Sequence, residues 1–128
     1  MTRLKIYIAA PYTAKDDYQI ERNVEVAIRA GIEVMNKGHI PFIPHLTHFI
    51  AIHPSCPWTK IDRRWIALDS EWWGYCDAIL VLSTVRPDGG EAKGVVTELI
   101  AFTKGGKTIF RSLEEIPMAQ EGGFKPID

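Results

Sequence analysis

Cysteine is scarce in this sequence: two residues, Cys56 and Cys76, in a chain of 128. That excludes a disulfide framework, and their spacing is not that of a C-x-x-C pair. A reducing, cytoplasmic compartment is the expectation. Long apolar runs are missing as well. No stretch approaches the roughly 20 residues needed to cross a bilayer, so no membrane role is expected. The early run IYIAAPY is brief and ends on proline, which argues against a signal peptide. Excess charge of either sign is absent too: 15 Lys and Arg against 16 Asp and Glu give a net charge of −1. Nothing in that balance points to nucleic acid or to a membrane surface. No repeat, low-complexity tract or dividing linker interrupts the chain, and one domain over residues 1–128 is expected.

What is present is a 46% apolar sequence, enough for one sizeable core, with a clear alternation of segments. LKIYIAA (residues 4–10) is an apolar, β-branched run closed by Pro11 and reads as a buried strand. Residues 16–37 follow helical spacing, with Ile20, Val24, Ala27, Ile28, Gly31, Val34 and Met35 on one stripe. Asp16 and Asp17 suit the positive end of that helix, and Gly38 ends it. HIPFIP (39–44) reads as a short strand, made irregular or edge-like by its prolines. Residues 45–58 read as loop or a short helical piece. Thr59 then opens a helix to about Tyr75, with Asp62 as a capping-box-like partner. AILVLS (78–83) is the clearest buried strand. A polar loop, TVRPDGGEA, leads to a helix over 92–104, Gly105 and Gly106 stop it, and KTIF (107–110) is a further strand. The tail EGGFKPID has little regular pattern and reads as an arm.

The order β-α-β-α-β-α-β argues for a three-layer α/β fold. Its mostly parallel sheet has four to five strands, with helices on both faces. Ligands in such folds bind beyond the carboxyl ends of the strands, near a topological switch point. Three segments therefore meet at one rim: AAPYT, PHLTH and STVRPDGGEAKG.

Four groups of residues invite chemistry. GGKT (105–108) is not a phosphate loop. The glycine required five positions before Gly106 is Ala101, and a helix runs into a strand here rather than the reverse. His45, His48, His53 and Cys56 have zinc-compatible residue types, but there is no second ligand pair elsewhere, so they read first as rim-loop residues and only secondarily as a metal site. No metal and no cofactor is expected. Trp65, Asp69, Trp72 and Cys76 fall on one helical face. That face reads as core or subunit interface, and Asp69 breaks it. A carboxylate among tryptophans is desolvated, its pKa rises, and it suits a proton donor. Asp77, just before a strand, reads as a cap or turn residue. Glu98 is the sharpest anomaly. Its neighbours VVTELIAF are apolar, and a glycine-rich rim loop delivers its helix to the ligand end of the sheet. A carboxylate there suits nucleophilic attack on an electrophilic carbon. Tyr7, on the first strand, is placed to hydrogen-bond it.

Together, Tyr7 within IYIAAPY, Asp69 followed by Asp77, and KGVVTE ending in Glu98 resemble the nucleoside 2-deoxyribosyltransferase superfamily over roughly residues 5–111. That superfamily includes the 2'-deoxynucleoside 5'-monophosphate N-glycosidases. The resemblance implies a flavodoxin- or Rossmann-like sheet and cleavage of an N-glycosidic bond. It implies Glu98 as nucleophile at C1', Asp69 protonating or orienting the leaving base, and Tyr7 positioning Glu98. Substrate contacts would come from Ala10, Pro11, Tyr12, His45, Lys93 and Gly94. The sequence departs from the pattern at Ala92, where a polar residue would meet the 5' end of the sugar. Glu91 and Lys93 flank that position; Lys93 and Arg86 are candidates to meet a phosphate, against the ordinary reading of long basic loop side chains as solvated.

The expected partner is a small nucleoside or nucleotide, followed by transfer to another base or to water. The rival reading is a non-catalytic nucleotide-binding module of the same fold, which Ala92 favours. A homo-oligomer is expected, because the sequence has four tryptophans, three of them between Trp65 and Trp73, and aromatic residues are enriched at interfaces. The resemblance points the same way.

Overall fold

A computed structural model describes residues 2–128. Four strands form one parallel sheet: β1 (Lys5–Ala9), β2 (Ile40–Phe42), β3 (Ala78–Val81) and β4 (Thr108–Phe110). Their order across the sheet is β2-β1-β3-β4. Tyr7 on β1 is paired with Phe42 on one side and with Ile79 on the other. The connecting helices are α1 (Asp17–Asn36), the short α2 (Thr47–Ala51), α3 (Arg64–Trp73) and α4 (Lys93–Lys104).

The alternation of side chains along each strand feeds two cores. Ile6, Ile8, Ala78 and Leu80 face α1 and pack with Ala27, Ala30 and Val34. Tyr7, Ala9, Ile79 and Val81 face the other way, against Val95 and Phe102 of α4 and Trp73 of α3. Helices therefore cover both faces, and all four residues of β3 are buried, as expected of a parallel strand. From β1 the chain passes to one side to make β2, then returns to the other side to make β3. The switch point lies at the carboxyl end of β1.

Local chemistry explains the helix ends. Asp16 caps α1, its side chain accepting from the Gln19 amide at 2.8 Å. Gly38 (φ +85°) takes the left-handed turn after α1, and a Cβ there would lie 2.2 Å from the Gly122 carbonyl oxygen.

Several expected boundaries shift. Met35 is half exposed rather than on the buried stripe of α1, and Asn23 is buried there instead. Polar burial is tolerated because Asn23 Nδ2 donates to the Tyr12 carbonyl at 2.9 Å and its Oδ1 accepts from Gln19. The third helix starts at Arg64, not at Thr59. Asp62 does not close a capping box. It accepts from the Arg64 amide at 2.9 Å and from the Arg64 guanidinium, and the residues before the helix form turns instead. Asp77 is structural, accepting from the Lys5 amide at 2.8 Å while its own amide donates to the Lys5 carbonyl.

After a short 3-10 turn (Leu113–Glu115) the chain runs back without helix or strand to the amino ends of β1 and β2. Lys37 donates to the Ile116 carbonyl, and the Ala119 amide donates to the Lys37 carbonyl. Fully buried His39 accepts from the Leu4 amide through Nδ1 and donates to the Pro117 carbonyl through Nε2. Arg3 stacks on Phe124 at 3.9 Å. This arm thus lies at the rim opposite the switch point. Among the described residues no helix is long and apolar enough to cross a membrane.

Candidate active site

The loops after β1, β2 and β3 enclose a cavity of about 280 Å³ at the switch point. That is close to the lower end of the range for small-molecule sites. Glu98 and Asp69 both line it, and both are buried.

Glu98 lies on the inward face of α4, between the core residues Val95 and Phe102. Burial pushes its carboxyl up to about 8, opposed by a hydrogen bond from Tyr7 and reinforced by the nearby charge of Asp69. Tyr7 donates its phenolic proton to Glu98 Oε2. Burial, and the carboxylates beside it, hold the Tyr7 hydroxyl well above the usual phenol range, so it is a fixed donor. Its ring is caged by Phe42, Trp73 and Phe102, with centroids at 5.5, 6.3 and 5.4 Å. Tyr7 is fully buried and stands behind Glu98 rather than in the cavity wall.

Asp69 reaches the cavity from α3. Burial pushes its carboxyl up to about 7, and among the described residues its Oδ1 has no hydrogen-bond partner. The helical face expected to carry it is rotated by one residue. Trp73, not Trp72, shares the inner face with Asp69, while Trp72 is half exposed and packs on Phe42 and Tyr75.

Ala10, Pro11, Tyr12, His45, Lys93 and Gly94 all line the cavity. His45 is buried and kept neutral by that burial. Its Nε2 faces two carbonyls, Ala10 at 3.0 Å and Pro11 at 3.2 Å, so that nitrogen carries the proton and ties the loop after β1 to the turn after β2. Ala92 precedes α4 without a side-chain cap for the first amides of the helix, and the first-turn residues Lys93, Gly94 and Val95 line the cavity.

The cysteine and histidine run is dispersed over other tasks. His48 Nδ1 bonds the Tyr12 hydroxyl at 2.8 Å, His53 Nδ1 accepts from the Ser55 amide, and Cys56 Sγ contacts the Trp58 carbonyl. Among the described residues no group of three or more His, Cys, Asp or Glu side chains is arranged to hold a metal ion.

One wall was not foreseen from the sequence. Lys60, Ile61, Asp62 and Arg63 line the cavity from the turns before α3. Lys60 is anchored to Asp17 at 2.6 Å, which joins those turns to the start of α1. Pro54 and Pro57 mark the loop only up to this stretch, and residues 60–63 contain neither glycine nor proline to extend it.

Residues 4–99 match the family described as a domain of unknown function (DUF7768), and the chain belongs to that family. No curated protein matches it. Among solved structures, the 2-deoxyribosyltransferase from the psychrotolerant bacterium Bacillus psychrosaccharolyticus has a similar fold. The TM-score is 0.53 at 20% sequence identity, over 82% of this chain and 69% of that one. The expected α/β, flavodoxin-like architecture is therefore the observed one.

Proposed function

We propose that the protein cleaves the N-glycosidic bond of a (2'-deoxy)nucleoside or nucleotide with Glu98 as nucleophile. One observation carries this reading: a buried carboxylate, held by a buried tyrosine, shares a cavity with a second buried carboxylate that has an oxygen unpaired. Two such groups with raised pKa values are costly as structural elements and useful as an acid and a nucleophile. The fold similarity to a 2-deoxyribosyltransferase supports the substrate class.

In this mechanism the ionised Glu98 oxygen attacks C1' of the sugar. The bond from C1' to the base nitrogen breaks, its electron pair goes to the base, and Asp69 delivers a proton there. A glycosyl ester of Glu98 remains. A second base, or water, then attacks C1' and surrenders its proton to Asp69, and the Glu98 carboxylate is released. Tyr7 is a positioning residue: its O–H stabilises the Glu98 anion and fixes its direction.

The test is chromatographic. Deoxynucleosides, ribonucleosides and their 5'-monophosphates are incubated with the protein, with and without a competing free base. Base release without acceptor identifies a hydrolase; a new nucleoside only with acceptor identifies a transferase. Glu98→Gln should abolish either, and full activity in a folded Glu98→Ala protein would refute the proposal. Ala92 favours a second reading, a binding module, because no side chain there meets the sugar's 5' end. Nucleotide binding without turnover under any acceptor condition would select it.

Two further parts of the reading concern setting. The half-exposed Trp72, exposed Tyr75 and exposed Phe49 support a homo-oligomer, and sedimentation showing only monomer at micromolar concentration would remove it. The scarcity of cysteine supports a cytoplasmic setting.

A further inference from the structure

A second polar pair faces the cavity from the other flank of β1. Glu98 follows β3, whereas His48 lies on α2, after β2; the two strands sit on opposite sides of β1. His48 is 5% exposed and lines the cavity. Its ring packs edge-on against Tyr12 and Phe49, with centroids at 5.8 and 5.5 Å. Its Nδ1 is 2.8 Å from the Tyr12 hydroxyl. Among the described residues that hydroxyl has no other acceptor. It is pushed up to about 12 by burial, so it keeps its proton, and with no competing acceptor the tautomer assigned to the pair has it donate to Nδ1. The imidazole, which burial disposes to be neutral, then carries its own proton on Nε2. Among the described residues Nε2 takes no partner, and unlike His45 Nδ1 it is not sealed within the protein.

We infer that His48, with its tautomer set by Tyr12, donates a hydrogen bond from Nε2 to an acceptor on the edge of the nucleobase. The inference rests on the glycosidic reading above. Displacement at C1' places the leaving base on the side of the carbon away from the attacking carboxylate, so with Glu98 on one flank the base projects toward the other. His48 is then a specificity-determining residue. It rewards bases with a ring nitrogen or carbonyl at that edge. A buried donor left unpaired by a base lacking the acceptor penalises the alternative.

The experiment is calorimetric binding to the Glu98→Gln protein, which keeps the ligand intact. The probes are deoxyadenosine with its 1-, 3- and 7-deaza analogues, and deoxycytidine with its 3-deaza analogue. Loss of one acceptor should weaken binding about tenfold, the size of one hydrogen bond. Adding His48→Ala should erase that difference, so that parent and analogue bind alike. Tyr12→Phe, which keeps the ring packing and releases the tautomer, should reduce it. Equal binding of every analogue to the Glu98→Gln protein, or discrimination that survives His48→Ala, overturns the assignment while leaving the glycosidic reading intact. If none of the deoxynucleosides, ribonucleosides or their 5'-monophosphates binds the Glu98→Gln protein, both are overturned.

Discussion

The hydroxyl of Tyr7 donates to the carboxylate of Glu98 across 91 residues of sequence, joining the central strand to the helix behind the cavity. Neither group is placed by local structure alone. β1 lies between two parallel neighbours, α4 packs over it, and their meeting point is fixed only when the sheet is complete.

Tyr7→Phe isolates that bond. The ring packing against Phe42, Trp73 and Phe102 is kept, and only the donor is lost. A hydrogen bond to a charged group is worth about 1.5–3 kcal/mol. The expected result is a fall in kcat/KM of about tenfold or more, with the acid limb of the pH profile moved to higher pH. An unchanged profile in a folded variant would show that Tyr7 does not stabilise the Glu98 anion.

The pair of carboxylates predicts a bell-shaped pH dependence of kcat/KM. The productive state has Asp69 protonated and Glu98 ionised. With pKa values of about 7 and about 8 it is the minor of the two singly protonated forms, so the bell is centred near neutral to slightly alkaline pH while only a fraction of the enzyme is productive at its maximum. Asp69→Asn should lose the alkaline limb and about 10²–10⁴ in rate, the usual worth of a general acid. Steady-state rates from pH 5 to 10 provide the check.

Stability should fall as pH rises over the same interval. In the folded protein Asp69 and Glu98 hold their protons up to about 7 and about 8, whereas the unfolded chain releases them near 3.8 and 4.5. Between those limits the folded state binds more protons, so each increase in pH favours unfolding, and the loss is complete above about 8. Urea midpoints at pH 5.5 and 8.5 measure it. The Asp69→Asn, Glu98→Gln double variant should show a flatter dependence and greater stability than the parent at pH 8.5.

Ala92 offers a test of opposite sign. It precedes α4 without a capping side chain. Ala92→Ser should satisfy one free amide of the first turn and raise stability by about 1 kcal/mol. Thermal melts would register it as a few degrees. A lower melting temperature would mean that this buried position cannot accept a hydroxyl.

Much of the scaffold was legible in the sequence because its strands are continuous apolar runs and its helix ends carry glycine. AILV is buried at every position, and Gly38 and Gly106 both take positive φ at the turns predicted for them. The burial of Glu98 was legible from its apolar neighbours. Harder to read was the rotation of α3. Trp72 and Trp73 are equally aromatic, and a spacing of three from Asp69 is as good a helical neighbour as a spacing of four. Only packing against Tyr7 selects Trp73. The wall formed by residues 60–63 was lost because Thr59 and Asp62 resemble a capping box. The competing bonds from Arg64 to Asp62 span only two residues, and spacing does not rank them against a capping box.

The position of Tyr7 on one of the two inner strands divides the molecule in a way that bears on how its relatives can diverge. Its backbone is paired on both sides and its ring is enclosed, so the contact between Tyr7 and Glu98 cannot drift without melting the sheet. Other residues of the cavity wall sit on separate loops after β2 and before α3, and those loops can lengthen or change sequence at little cost to the core. Under the function proposed above, a lineage built on this chassis can exchange one ligand for another while Tyr7 and Glu98 stay in place.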